Sequence, residues 1–333
     1  MIPYMEDQLW PSNSEVDIIL ELDLERAPAG EITRQMIHLV SDGIGMPVLV
    51  PVLIARGSAP GPVLGLTAAV HGNELNGIPV VQRLFKELDP LQLRGTVVGV
   101  PVVNVPSLHR KKRRFIDGTD LNDVMPGEED GNVSQVYAYR IVHRIIKAFD
   151  YLVDLHTASF GRINSYYIRA DLQNPVTRKM ALLQNAQIAV HKPNTDGTLR
   201  GAASEMGIHA ITLEVGDPNT FQKGMIRSGL TGIFNLLVHL DMLDGNTEAP
   251  QHPPVLCRDS YWLYTDSGGI LSVHPDLTTA VRVGQPVATL RNIFGDLVKE
   301  YSAPEAGVIV GKSVSPINQT GGRILHLGIA GDV

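Results

Sequence analysis

Hydrophobic positions along the chain change period several times, and each change marks a predicted element. Residues 17–24, 35–40 and 47–55 read as strands separated by Gly, Ser and Asp. The apolar run 62–70 leads directly into His71, the pattern of a strand buried on both faces. Ile78, Val81, Leu84, Phe85 and Leu88 then follow helical spacing, and 96–103 reads as a second buried strand. Ser134 opens a helix with Val136, Tyr139, Val142, Ile146 and Phe149 on its inner face. A short strand, 151–155, ends at His156. Asn174-Pro175 starts a helix, 199–206 is helical and stopped by Gly207, and 208–213 is a strand ending at Glu214. Residues 225–243 form a long amphipathic helix that turns Ile226, Leu230, Ile233, Phe234, Leu237 and Leu240 inward.

The pattern changes after this helix. Residues 245–256 are rich in Pro, Gly and polar side chains and read as a linker. From 257 to 333 short β-like runs alternate with Gly and Pro, and no helical period survives. The expectation is an α/β fold over residues 1–244, a sandwich built on a mostly buried sheet, followed by a small β-rich, barrel-like domain over 257–333. There is no internal repeat.

Composition narrows the function classes. A net charge of −7, from 28 basic and 35 acidic residues, disfavours nucleic acid and anionic membranes as partners. The basic run 109–114 lacks interleaved aromatics and reads as a solvated loop or an attractor for a substrate anion. One cysteine, Cys257, excludes an internal disulfide and a multi-cysteine metal site. Residues 1–15 contain no apolar leader, and no apolar run approaches the roughly 20 residues of a membrane helix. The expectation is a soluble, cytoplasmic protein acting on a small molecule, with homo-oligomerisation left open. Residues 306–313 fit a relaxed phosphate-loop pattern, but Val308-Ile309-Val310 reads as a strand and no helix start follows. Residues 283–309 resemble the β-barrel of lipoyl and biotinyl carrier domains without an exposed lysine at a hairpin tip, so their role is structural.

Three predicted strands end at His71, His156 and Glu214, and side chains at the carboxyl ends of strands in an open α/β sheet converge on one crevice. His71-Gly72-Asn73-Glu74 puts a nitrogen and an oxygen donor on one tight turn, as a catalytic zinc requires. By spacing alone the pair serves equally well as caps of the following helix. Asp154-Leu155-His156 offers another imidazole with a carboxylate two residues away on the same face, or else a satisfied core histidine. Glu214 is a carboxylate at the end of an apolar strand, costly unless paired or functional: beside a zinc it suits a general base, and otherwise a structural ion pair. Arg113 to Asp123 adds an arginine suited to stabilising an oxyanion, and Asn122, which can hydrogen-bond a substrate.

Taken in order, His71-Gly72-Asn73-Glu74, Arg114 with Asp120-Leu121-Asn122, Asp154-Leu155-His156 and Glu214-Val215-Gly216 resemble the succinylglutamate desuccinylase/aspartoacylase family of the zinc carboxypeptidase superfamily. The resemblance covers most of residues 47–243. It implies a zinc-carboxypeptidase-like α/β/α sandwich with a mixed sheet, and hydrolysis of an N-acyl amino acid or related small amide. It implies one zinc per chain on His71, Glu74 and His156, Glu214 as general base, Arg114 at the substrate carbonyl and Asn122 at a substrate carboxylate. A carboxypeptidase acting on short peptides, or a non-catalytic binding homologue, is the alternative. One position departs from the family pattern: an arginine usually follows Asp-Leu-Asn, and here Asp123 stands in its place. A carboxylate there reverses the sign of that subsite and points to a substrate with a cationic group, such as an N-acyl diamino acid. Arg162, Arg169 and Arg200 remain open as a replacement contact for a substrate carboxylate.

Overall fold

The computed structural model describes residues 16–193 and 197–333. The first part of the chain runs β1 (Asp17–Ile19), β2 (Glu31–Ser41), β3 (Pro47–Arg56), β4 (Ala59–Ala68), α1 (Gly77–Glu87), β5 (Arg94–Val100), α2 (Val105–Arg110), α3 (Val133–Arg144), β6 (Tyr151–His156), β7 (Arg162–Asn164), β8 (Tyr166–Ala170), α4 (Pro175–Leu183), β9 (Ile188–His191), α5 (Leu199–Glu205), β10 (His209–Val215) and α6 (Lys223–His239). The remainder is β11 (Val255–Tyr264), β12 (Gly269–Val273), β13 (Ala280–Val281), β14 (Pro286–Arg291), β15 (Leu297–Ser302), β16 (Gly307–Ser313), β17 (Ile317–Asn318) and β18 (Arg323–Ala330).

Helices pack on both faces of a mixed sheet. On one face α1, α4 and α6 bury Val81, Leu84, Met180, Ile226 and Ile233 against the inner strands. On the other, α3 and α5 bury Tyr137, Ile141, Leu199 and Ala202. The sheet order β3-β5-β4-β6-β10-β8-β9 puts β4, β6 and β10 side by side, and all three run parallel. Their carboxyl ends therefore share one edge of the sheet. The register pairs Glu214 with His156, and Asp154 with both Thr67 and Thr212.

The β-rich C-terminal region is joined to this sheet. β11 pairs in parallel with β9, and the sheet continues through β18, β16 and β13. Pairing satisfies a β9 edge that would otherwise expose a row of backbone donors and acceptors. This region has its own core around Leu271, Val287, Leu290, Leu325 and Leu327, and a second sheet, β15-β14-β12-β17. The phosphate-loop-like segment forms β16, with Lys312 bonded to Pro275 and Asp276.

Local differences from the sequence pattern have local causes. Of 17–24, only Asp17–Ile19 pairs as strand, because Asp23 caps a 3-10 turn by accepting from Glu25 N. Helix α3 starts one residue before Ser134, from a capping box of Asn132 and Gln135. Its buried face is Tyr137, Ala138, Ile141 and Val142, while Val136 and Tyr139 are half-exposed. The Tyr137 hydroxyl donates to Val103 O at 2.8 Å and its ring packs on Phe115, which sets that face inward.

Gly72 shows how tightly the first motif is held. A Cβ there would lie 2.1 Å from the carbonyl carbon and oxygen of Ser107. Backbone cannot yield as a side chain can, so Gly72→Ala is expected to destabilise the fold by about 1–3 kcal/mol, read as a lowered Tm. An unchanged Tm would show that this turn moves freely.

Candidate metal and catalytic site

His71 lies three residues beyond β4, after Ala69, whose φ of 52° turns the chain out of the strand. His71, Glu74 and His156 are all buried, and one ligand atom from each lies within 4.8 Å of the others. Nδ1 of His71 is 2.9 Å from Glu74 Oε1, and Nδ1 of His156 is 2.9 Å from Glu74 Oε2. The opposite ring nitrogens face outer carboxylates: His71 Nε2 is 2.9 Å from Asp120 Oδ1, and His156 Nε2 is 2.7 Å from Asp154 Oδ2. A carboxylate oxygen only accepts, so each Nε2 carries a proton and donates it outward. That arrangement aims both Nδ1 atoms at one point beside Glu74, the orientation outer carboxylates impose on metal-binding histidines. Thr67 Oγ1 in turn donates to Asp154 at 2.7 Å. Two imidazole nitrogens and a carboxylate suit zinc, so the residues fit the ion that the family pattern implies.

Electrostatics agree with this geometry. Burial acts to raise the Glu74 carboxyl, but His71 and His156 outweigh it and hold the group well below the usual carboxylate range. Burial likewise opposes charge on His156, and the Asp154 and Glu74 carboxylates push it well above an ordinary histidine. Asp120 is held low against its own burial by His71 and Arg113.

The arginine at the cluster is Arg113. Its Nη1 is 2.7 Å from Glu74 Oε1 and its Nε 2.8 Å from Asp120 Oδ2. Arg114 is exposed and donates to Gly118 O, so the structure does not bring it to the cluster. The two arginines are separated by their partners: Arg113 is held by the buried carboxylates of Glu74 and Asp120, while Arg114 is turned to Gly118 O beside Phe115, which is anchored in the core against Tyr137.

Glu214 is buried at the end of β10 and is held by two donors. Asn164 Nδ2 lies 3.1 Å from Oε2, and the Tyr167 hydroxyl 3.3 Å from Oε1. Arg169 donates to the Tyr167 hydroxyl through Nε and Nη2, and its Nε is 3.6 Å from Glu214. Burial raises the Glu214 carboxyl above its ordinary value, with Arg169 and His156 pulling the other way. Asn122 Nδ2 is 3.4 Å from His156 Nε2, and Asn122 Oδ1 accepts from Leu199 N. Asp123 is exposed and its carboxylate has no hydrogen bond or ion pair among the described residues. Of the three arginines left open, Arg169 sits at Glu214. Arg200 is buried and donates to Lys192 O and Pro193 O, and Arg162 lies over Trp262. Asn164 and Tyr167 carry no sequence signal, because only the antiparallel pairing of β8 with β10 and the β7 turn bring them to Glu214.

A model of the succinylglutamate desuccinylase/aspartoacylase catalytic domain matches residues 60–240, over half of the chain, a span containing the whole cluster. The chain belongs to this family. It is 24% identical over 278 residues to the N-alpha-acetyl-L-2,4-diaminobutyric acid deacetylase of Halomonas elongata, covering 80% of this chain and 81% of that one. It is 29% identical over 248 residues to the succinylglutamate desuccinylase of Pseudomonas paraeruginosa, covering 68% and 73% respectively. Among solved structures, the product-bound ectoine utilization protein EutE of Ruegeria pomeroyi superposes with a TM-score of 0.82 at 21% identity, over 91% of this chain and 97% of that one. A succinylglutamate desuccinylase/aspartoacylase structure from Rhodobacter sphaeroides does so with a TM-score of 0.82 at 22% identity, over 93% and 98%. These likenesses establish the family member's fold as a zinc-carboxypeptidase-like mixed α/β sheet with a β-rich C-terminal region. Among the described residues, no helix is long and apolar enough to cross a membrane.

Proposed function

We propose that this family member is a zinc-dependent amidohydrolase that deacylates a small N-acyl amino acid bearing a second, cationic group. The observation that carries the reading is a buried Glu214 beside the convergent donors of His71, Glu74 and His156. A carboxylate whose ionised form burial opposes, with Arg169 at 3.6 Å from its Oε1, suits proton transfer, for which a protein that only held a metal has no use.

His71, Glu74 and His156 would hold the ion, which when bound supplies Lewis acidity to the scissile carbonyl and to water. Glu214 then accepts the proton of the attacking water and returns it to the departing amine. Asn164 and Tyr167 hold its two oxygens in place while it does so. Arg113 takes the role the family pattern assigns to an arginine at the substrate carbonyl, where developing negative charge is stabilised by a fixed cation. Asn122, beside His156, is a donor for the substrate.

Asp123 sets the preference. It is an exposed, unpaired carboxylate next to Asn122, suited to drawing in an ammonium group. The Halomonas relative is named for a substrate with such a second amine, 2,4-diaminobutyric acid. The test is hydrolysis of a panel of acetyl and succinyl groups on acidic, neutral and diamino acids. Wild-type protein is expected to favour the diamino members, and Asp123→Arg to lower kcat/KM for them about 10-fold or more while improving acidic members. A variant with the wild-type order of preference would remove Asp123 from the account.

A further inference from the structure

We propose that Arg162 and Arg323, gathered over Trp262, form the subsite that receives the carboxylate of the substrate. The inference rests on the deacylase reading and adds the residues that select the anionic end. Trp262 and Arg323 come from the β-rich C-terminal region, so on this account that region is part of substrate recognition.

The two guanidinium groups lie 5.6 Å and 5.2 Å from the centroid of the Trp262 ring. Such a surface orients both cations and shields one side of each from water. The segment that carries Arg162 is tied to the reaction centre at both ends. Its Nε donates to Ser159 O at 3.1 Å, and Ser159 Oγ accepts from Asn73 Nδ2, within the His71–Glu74 turn. Two residues beyond Arg162, Asn164 donates to Glu214. On the far side, Arg162 pairs in register with Ser313 of β16. Arg323 opens β18 opposite Tyr264. It is near enough to Arg113 that, after burial, the repulsion of that second cation is what lowers its basicity.

Among the described residues neither Arg162 nor Arg323 makes an ion pair, whereas Arg113, Arg56 and Arg94 each do. Like charges brought together without an anion repel one another, and a carboxylate between them relieves that repulsion. The two arginines, with Ser313, Ser315, Asn318 and Phe160, line a cavity of about 310 Å³, large enough for a carboxylate and its first carbons. His326 packs on the same Trp262 ring. Its imidazole is buried and stacked at 5.1 Å, and Nε2 meets Ser260 Oγ at 2.9 Å. Its Nδ1 has no hydrogen-bond partner among the described residues. Burial, then the nearby arginines, keep this ring neutral.

The test uses zinc-loaded protein with Nα-acetyl-2,4-diaminobutyrate and the same compound as its carboxamide. Arg162→Gln and Arg323→Gln are each expected to raise KM for the carboxylate form about 10- to 30-fold, with kcat within about threefold and with the carboxamide unaffected. Arg323→Lys, which keeps the charge, is expected to recover most of the loss. Equal KM shifts for carboxylate and carboxamide, or none for either, would overturn the subsite. Should wild-type protein hydrolyse neither compound, the deacylase reading fails on its own. Calorimetric titration of zinc-loaded Glu214→Gln protein with the acetylated compound then decides the subsite: weaker binding after adding Arg323→Gln supports it, and unchanged binding rejects it.

Discussion

Replacing Glu214 by Gln is expected to lower kcat about 10³-fold, with KM for the N-acyl substrate changed by no more than about threefold. Gln fills the same space and keeps an oxygen for Asn164 or Tyr167 to bond, so the loss isolates the basic function. The pH profile gives the second readout. Burial raises the Glu214 carboxyl above its ordinary value, so its protonated, inactive form persists to a higher pH than for a surface glutamate. Wild-type activity is therefore expected to fall on the acid side through that raised value, and the residual activity of the variant to lack that limb. Stability moves the other way. A carboxylate whose folded pKa is raised contributes stability that is fully present below its unfolded value near 4.5 and is lost as pH rises through the folded value. In chelator-treated protein at pH 8, Glu214→Gln is expected to melt higher than wild type, and at pH 4 to melt alike. A variant that retained more than a tenth of wild-type activity would end the general-base assignment.

Removal of the metal is the second large effect. Treatment with a chelator is expected to abolish hydrolysis, and added zinc to restore it, because the ion would supply Lewis acidity to both the carbonyl and water, and Arg113 acts on the carbonyl alone. A histidine holds zinc through an unprotonated nitrogen, and Nδ1 of His156 lies 2.9 Å from Glu74, so zinc uptake is expected to release protons and acidify a weakly buffered solution. Asp154→Asn tests the outer carboxylate. Losing the anion behind His156 is expected to weaken zinc affinity about 10- to 100-fold, measured by competition with a coloured chelator, with the fold retained. Full activity in metal-free protein, verified by elemental analysis, would reject the metal-dependent reading.

Arg113 and Arg114 show where local pattern reaches its limit. Both occupy one basic run, and nothing in adjacent letters says which of two neighbours faces inward. The buried carboxylates of Glu74 and Asp120 decide it by taking Arg113, while Arg114 bonds Gly118 O. The same holds for Glu214. Its place at the end of an apolar strand is legible in the sequence, but the donors that hold it, Asn164 and Tyr167, lie on strands whose pairing is not local. Tyr167 reaches it because β8 runs antiparallel beside β10, in a register that sets Tyr167 opposite Glu214.

By itself the sequence determined the α/β class, the strands that lead to His71, His156 and Glu214, and the motif order that marks the family. These depend on hydrophobic period and short spacing, which act over a few residues and leave their trace in neighbouring letters. Only the tertiary structure decided the rest: the parallel adjacency of β4, β6 and β10, the pairing of Asp120 with His71, and the entry of Arg113. It also continued the sheet from β9 into β11, which sets Trp262, Arg323 and His326 beside the cleft. Those contacts join residues far apart in the chain, such as Thr67 with Asp154 and Tyr167 with His326, and their free energy is realised only when a common core and backbone pairing bring them together.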